Sequence, residues 1–567
     1  MQQTGSQILF TALKEEKVDT LFGYPGGCVM DIYDELFRQD IRHILVRHEQ
    51  GAINAADGYA RASGRVGVCL VTSGPGATNT VTGIANAYMD SIPVVVLTGQ
   101  VPTAMIGNDG FQEVDITGIT RTCTKHNFLV RRIGDLHKTI REAFHIARSG
   151  RPGPVLIDLP KDVIQSVVER DQQATAPPSG EGVCPDLEGL CAEALKLLLK
   201  AKKPLILAGG GVILGKASEE LRAFAKMFQV PVVSTLMGLG AFPASDPLWT
   251  GMLGMHGAYY ANMAVGQCDL LIAVGVRFDD RATSKVEAFA PHAKIVHIDI
   301  DPVSIDKIVR TDLSIVGHCL PALETLLRLG NAGGLSRREG RTQAWHNRIR
   351  QWKAEMPLSY CRNENIKPQY VVERLHQLTQ GRAIVATEVG QNQMWAAQFY
   401  RFDEPNSFLT SGGLGAMGFG LPAAIGAQVA CPDRTVVDVA GDGSIQMNIQ
   451  ELGTIVHYGL PVKVVILNNL YLGMIRQWQE LFYGRRYSQS DMTQAPDFVK
   501  LAEAYGIKGL RATKPGEVKG VLKEGLETPG PVVMDFQVEP EENVFPMVKP
   551  GTPLTEMALG KIRAAVA

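Results

Sequence analysis

Short, almost wholly apolar runs alternate along the chain with stretches in which apolar residues return every three or four positions, a pattern that predicts parallel strands joined by helices. Residues 435–440 and 462–467 are mainly apolar runs, each with a single charged residue, Asp438 or Lys463, as expected of strands covered on both faces. Between them Ile449, Leu452 and Ile455 repeat at helical spacing. This reads as a βαβ unit, whose right-handed crossover brings both strand ends to one edge of a parallel sheet, where open α/β folds bind ligands. Two stretches interrupt the alternation: 169–189, with Pro177-Pro178-Ser179-Gly180, and 330–341, rich in Gly, Ser and Arg. Taken as linkers, they divide the chain near 1–170, 190–330 and 365–540, with a tail at 541–567. Three doubly wound parallel-sheet α/β domains are expected.

The outer two segments echo each other. Gly74-Pro75-Gly76 follows a strand-like run and precedes a helix-length stretch and the apolar run 92–97; Gly441-Asp442-Gly443 stands in the same relation to 460–467. A duplication accounts for both. Only the later copy carries an Asp in the turn and an Asn pair, Asn468-Asn469, at the end of its second run.

Composition narrows the classes. With 56 basic and 58 acidic residues, no global field favours nucleic acid or an anionic membrane. Nine cysteines form no CxxC pair and no disulfide-rich cluster, which fits a reducing compartment. The N-terminus has no charged-then-apolar signal pattern, and the apolar runs are far shorter than a membrane span. A soluble, cytoplasmic protein with small-molecule partners is expected.

The chemistry concentrates at the later turn. Asp442 and Asn469 end neighbouring strands of one unit, so a carboxylate and an amide carbonyl can meet there as hard oxygen ligands for Mg²⁺, which keeps substrate phosphates in its shell. Gly441 and Gly443 let a diphosphate approach the backbone, and the helix start at Ser444 offers free N–H groups. A GDG turn alone needs no ligand. Together with the Asn pair 24 residues on, it resembles the thiamine-diphosphate (ThDP) enzyme motif, which implies Asp442, Asn469 and the Tyr471 carbonyl as metal ligands.

Further motifs narrow the resemblance. Phe22-Gly23-Tyr24-Pro25-Gly26-Gly27, Arg47-His48-Glu49-Gln50, Thr72-Ser73-Gly74-Pro75-Gly76-Ala77-Thr78-Asn79, Gly150-Arg151-Pro152-Gly153-Pro154, Arg277-Phe278-Asp279-Asp280-Arg281 and Ser411-Gly412-Gly413-Leu414-Gly415-Ala416-Met417-Gly418 are similar to the acetohydroxyacid (acetolactate) synthase large-subunit family, from about residue 5 to 557. The resemblance implies that Glu49 bonds the aminopyrimidine ring of ThDP, that Gly27 borders the reacting centre, and that Lys161 and Gln112 take part in catalysis. It places Met417 under the bent cofactor and Gln391 and Asn392 at its diphosphate. Phe111, Met474 and Trp478 would line the substrate pocket, with Trp478 favouring 2-ketobutyrate over pyruvate as second substrate, and Arg281 would bind that substrate's carboxylate. It also implies a structural FAD held in the central domain by Arg151, Thr235, Leu236, Met237, His256, Gly275, Arg277, Asp279 and Asp299. The implied activity is decarboxylation of pyruvate and ligation of the two-carbon unit to pyruvate or 2-ketobutyrate, the start of branched-chain amino-acid synthesis. A homodimer or larger assembly, a small regulatory subunit and a C-terminal tail near the active site follow from the same resemblance.

Two positions depart from the family pattern. Asn392 stands where a diphosphate-contacting His is usual, and His318 follows Gly317 where an Asp is common near the flavin. Asn can donate a hydrogen bond but cannot carry a positive charge. The rival readings are a ThDP/FAD pyruvate oxidase, the FAD-free catabolic acetolactate synthase and a non-catalytic cofactor-binding scaffold.

Overall fold

The computed structural model describes residues 2–169, 184–332 and 341–560. The expected linkers at 169–189 and 330–341 fall largely outside the described residues. Three six-stranded sheets organise the rest, and all pairings within them are parallel. In the first sheet the order is Arg42–Leu45, Thr20–Tyr24, Gly67–Val71, Val94–Gln100, Val155–Pro160, His126–Leu129. In the third it is Phe408–Leu409, Ile384–Thr387, Val436–Gly441, Lys463–Asn468, Val532–Gln537, Lys508–Ala512. Numbered along the chain within each domain, both sheets read 2-1-3-4-6-5. The likeness seen in one βαβ unit of the sequence therefore extends through the whole sheet.

The central sheet differs. Its order is Trp249–Met252, Val232–Ser234, Pro204–Ala208, Leu270–Val274, Lys294–Asp299, Leu313–Val316, or 3-2-1-4-5-6 by the same numbering. That order belongs to dinucleotide-binding folds, whose ligand crevice opens where the strand order reverses. Here the reversal lies between Pro204–Ala208 and Leu270–Val274.

The elements follow from their residues. Val94–Gln100 is buried at every position, so it cannot alternate polar and apolar faces. Helix Ile133–Arg148 buries Leu136, Ile140, Ala143, Phe144 and Ala147, a single stripe at helical spacing. Among the described residues no helix is long and apolar enough to cross a membrane.

The first and third domains dock through equivalent helices, Glu49–Ser63 and Gly420–Ala430, each following the second strand of its sheet. The approach is too close for side chains: a Cβ on Gly58 would stand 2.2 Å from the Ala423 carbonyl oxygen, and one on Gly426 would stand 1.9 Å from that of Ala55. Ala55 and Gly58 on one helix thus meet Ala423 and Gly426 on the other reciprocally, as across a local two-fold axis. A single apolar cluster runs through the contact, from Phe22 and Ile53 to Leu421 and Ile466. Buried Arg61 adds a polar tie, bonding Asp57, Asp90 (2.9 Å) and the Thr410 carbonyl (3.0 Å). Asp90 in turn accepts the N–H groups of Gly412 (3.1 Å) and Gly413 (2.7 Å), which pins the loop leading to Met417.

Candidate active site

The structure gathers most of the candidate residues around one cavity of about 820 Å³, lying between the central crevice and the third sheet's carboxyl edge. At the third-domain end, Asp442 opens a single helical turn directly after strand Val436–Gly441 and is 1% exposed. Burial pushes its carboxyl up to about 7, and its Oδ2 has no hydrogen-bond partner in the protein. An unpaired buried carboxylate oxygen is costly unless a ligand meets it. Asn469 and Tyr471 line the same end of the cavity. Among the described residues no three acidic, His or Cys side chains gather as a metal site. One carboxylate, one amide oxygen and one backbone carbonyl remain, a donor set that suits Mg²⁺ only if phosphate oxygens complete its shell.

The neighbouring side chains are tightly committed. Gln391 donates to Gln477 Oε1 (2.9 Å) and the Glu542 carbonyl (3.1 Å) while accepting from Asn469 (3.1 Å). Asn392 donates to the carbonyls of Glu388 and Val439, both at 2.8 Å. What these two residues leave for an anion is backbone N–H, because helix Gln391–Phe399 starts without a side-chain cap. Gly441, Gly443, Ser444 and Met417 line the cavity beside them. The turn carrying Met417 has left-handed glycines on both sides, Gly415 (φ 71°) and Gly418 (φ 83°).

The central crevice forms the other end. A Cβ on Gly209 would stand 2.0 Å from the Gly275 carbonyl oxygen, and Gly211 donates its N–H to that oxygen at 3.1 Å. The glycines therefore permit two backbones to approach where the strand order reverses. Arg151, Thr235, Leu236, Met237, His256, Gly275, Arg277, Asp279 and Asp299 all line this end. Burial lowers the His256 imidazole to about 4 and raises the Asp299 carboxyl to about 6, while His256 Nδ1 has no partner. Asp279 caps the turn Asp280–Thr283 through the N–H groups of Arg281 and Ala282, both at 3.0 Å. Arg281, Met474 and Trp478 line the cavity too; the last two are four residues apart on helix Gly473–Phe482 and share a face.

Glu49, Gly27, Lys161, Gln112 and Phe111 stand outside this cavity. They meet instead at the carboxyl edge of the first sheet. Glu49 begins its helix behind the His48 cap, and Asn79 donates to its Oε2 at 2.9 Å. A Cβ on Gly76 would lie 3.4 Å from Glu49 Oε1, and one on Gly74 would lie 2.7 Å from the Gln112 carbonyl oxygen. Gly74-Pro75-Gly76 thus seats both residues. Lys161 Nζ donates to the Gly27 carbonyl (3.2 Å), and a Cβ on Gly27 would meet nothing within 4 Å. Phe111 is 86% exposed. Within a single chain the candidate residues therefore form two separate groups, only one of which lines the cavity.

Sequence reasoning missed several residues that hold these halves. Gln477 is fully buried and exchanges two bonds with Val544, fastening residues 542–544 against the helix that bears Trp478. Glu388 is wholly buried and accepts the N–H groups of Gly418 (2.7 Å) and Leu421 (3.1 Å), gripping the turn after Met417. Their only trace in the sequence is a polar residue where a helix or strand pattern calls for an apolar one.

Comparison with known proteins agrees with this architecture. Family models describe residues 3–119 as a thiamine pyrophosphate enzyme N-terminal TPP-binding domain, 191–326 as the central domain and 388–536 as the C-terminal TPP-binding domain. Fold and cavity thus define the class, a three-domain thiamine pyrophosphate enzyme. Over 564 residues the chain is 48% identical to the acetolactate synthase large subunit of Haemophilus influenzae, covering 98% of both. It is 49% identical to the acetolactate synthase isozyme 3 large subunit of Escherichia coli, covering 98% of this chain and 99% of that one. It is also 49% identical to acetolactate synthase 2, chloroplastic, of Nicotiana tabacum, covering 96% of this chain and 84% of that one. The chain belongs to the acetolactate synthase large-subunit family.

Proposed function

We propose that this chain is a working catalytic subunit of acetolactate synthase, using ThDP, Mg²⁺ and a structural FAD. The observation that carries the reading is the unpartnered, buried Asp442 oxygen beside Asn469, at the edge of a sheet whose glycine turn leaves room for a diphosphate. Two pyruvates and a proton give 2-acetolactate and carbon dioxide, so no net oxidation occurs and a flavin in the central crevice has a structural task. The strand order of that crevice and the mutual approach of its glycine backbones support the flavin assignment.

ThDP, when bound, supplies the electron sink on which pyruvate loses carbon dioxide. Asp442, the Asn469 amide oxygen and the Tyr471 carbonyl hold the metal, while backbone N–H groups at Gln391 and Asn392 receive the diphosphate. Glu49 would hydrogen-bond the aminopyrimidine ring through its carboxyl group. Gly27 leaves the reacting centre open, and Lys161 stays within hydrogen-bonding reach of it through the Gly27 carbonyl. Arg281 pairs with the carboxylate of the second 2-ketoacid, and the indole of Trp478 packs on the extra methyl group of 2-ketobutyrate. Two half-sites in one chain support a homodimer in which Glu49 of one protomer faces Asp442 of its partner. The family name "large subunit" supports a small regulatory partner.

The test is the product distribution, by mass spectrometry, from purified protein given ThDP, Mg²⁺, FAD, pyruvate and 2-ketobutyrate without oxygen. Predominant 2-aceto-2-hydroxybutyrate is expected. Acetolactate alone would indicate the catabolic type; pyruvate consumption dependent on an added electron acceptor would indicate an oxidase.

A further inference from the structure

The loop between Val101 and Val114 carries Phe111 and Gln112, yet it has little apolar anchorage: one three-residue turn, Thr103–Met105, and residues that beyond Val101 are exposed or only half-buried. It also contains two non-glycine residues in the left-handed region, Asp109 (φ 52°) and Gln112 (φ 58°). Such conformations persist only where the surroundings over-determine them. Here the surroundings are polar ties. Gln100, at the end of strand Val94–Gln100, is 3% exposed, and its Nε2 donates both to the Val114 carbonyl (2.9 Å) and to Asp158 Oδ2 (2.9 Å). Its Oε1 accepts the Val101 N–H (2.9 Å), so one amide grips both ends of the loop. Asp158 is 2% exposed and accepts its second bond from the Thr98 hydroxyl at 2.7 Å.

The third sheet repeats the device. Thr98 pairs with Asp158 across strands four and six of the first sheet, and Ile466 pairs with Asp535 at the corresponding place in the third. Two residues beyond each pairing an amide reaches the Asp: Gln100 to Asp158, and Asn468 to Asp535 at 3.0 Å. Each amide then accepts an N–H from the loop it precedes, that of Val101 or that of Leu470 (3.3 Å). Each loop bears a strained non-glycine residue at or beside its functional position, Gln112 (φ 58°) or Leu470 (φ 60°). Two domains that share no sequence motif here have kept the same carboxylate–amide arrangement.

We propose that Asp158 and Gln100 are positioning residues that hold the Val101–Val114 loop so that Phe111 and Gln112 meet the substrate. The proposal rests on the functional reading above for what the loop does, though not for how it is held. The Asp158 carboxylate bonds Gln100 and Thr98, so it acts on the loop through the amide. Gln100→Leu removes the clamp. The double variant Gln100→Glu with Asp158→Asn separates two roles. Its amide, now at position 158, can donate to the carboxylate now at position 100 and rejoin the strands. That carboxylate has no N–H for the Val114 carbonyl, so the loop end is released.

The experiment measures amide hydrogen exchange, thermal midpoint and steady-state kinetics on the protein loaded with ThDP, Mg²⁺ and FAD. In the double variant the thermal midpoint is expected near that of wild type, with exchange across residues 101–115 accelerated about tenfold, as for loss of one buried bond. The kcat/KM for pyruvate should fall by a similar factor, while the dissociation constant of ThDP stays within about twofold. Loop exchange and kcat/KM both at wild-type values would overturn the proposal. So would acceleration spread evenly over the first sheet, which marks a purely structural pair. Should wild type itself make no acetohydroxyacid, the functional reading fails while the exchange data still decide the clamp.

Discussion

A mixed dimer can show whether the two half-sites belong to one chain or two. Glu49→Gln removes the carboxylate at the first sheet's edge, and Asp442→Ala removes the metal ligand at the third's. Each change alone should lower carboligation by about a hundredfold or more, the usual worth of a positioned acid-base group or a metal ligand. In a single chain Glu49 lies outside the cavity that Asp442 lines, and Phe111 stands 86% exposed. If sites form between protomers, a dimer of one Glu49→Gln chain and one Asp442→Ala chain has one site with both lesions and one with none. Co-expression with two different affinity tags and sequential purification gives such dimers. Their specific activity should be about half that of wild type, since one of two symmetry-related sites is intact. Activity no higher than that of either single mutant would refute the split-site reasoning. Acetolactate formation is measured directly, and size-exclusion chromatography confirms the assembly.

Three further outcomes follow from the geometry. Trp478→Leu should shift products toward acetolactate by about tenfold, the worth of one methyl group's packing, and an unaltered ratio in a competition assay would remove Trp478 from selectivity. Gly27→Ala should leave the thermal midpoint unchanged, because its Cβ meets nothing within 4 Å in the chain, yet it should impair turnover; equal loss of both would place Gly27 in the fold. The Asp442 carboxyl lies above its ordinary 3.8, near 7, so the metal-free protein loses this group's contribution as pH rises from 3.8 through 7, and metal binding must displace its proton below that. Mg²⁺ affinity, read by calorimetry, should therefore fall about tenfold per pH unit below 7, a dependence that Asp442→Asn should abolish.

The sequence reveals what local patterns encode. The doubled βαβ unit was legible because Gly74-Pro75-Gly76 and Gly441-Asp442-Gly443 occupy like places between apolar runs, and the meeting of Asp442 and Asn469 at one cavity was legible from the spacing of the turn and the Asn pair. The central strand order was not, because its reversal depends on where strand Leu270–Val274 pairs rather than on any residue within it. Nor was the Asp158–Gln100 tie: the two residues are 58 positions apart, Asp158 reads as a polar interruption of an apolar strand, and Gln100 reads as the polar end of another. The committed amides of Gln391 and Asn392 also depend on distant partners, Gln477 and Val439, and that is why their side-chain N–H groups are already taken.

The reciprocal contact of Ala55 and Gly58 with Ala423 and Gly426 makes the chain a dimer of domains inside one covalent strand. Its halves cannot drift apart on dilution, because each is held at the effective concentration set by the chain between them. The contact between protomers in the proposed homodimer would have no such tether. Lowering the protein concentration should therefore abolish activity first, in a species whose domains remain folded and docked, and restoring the concentration should restore it.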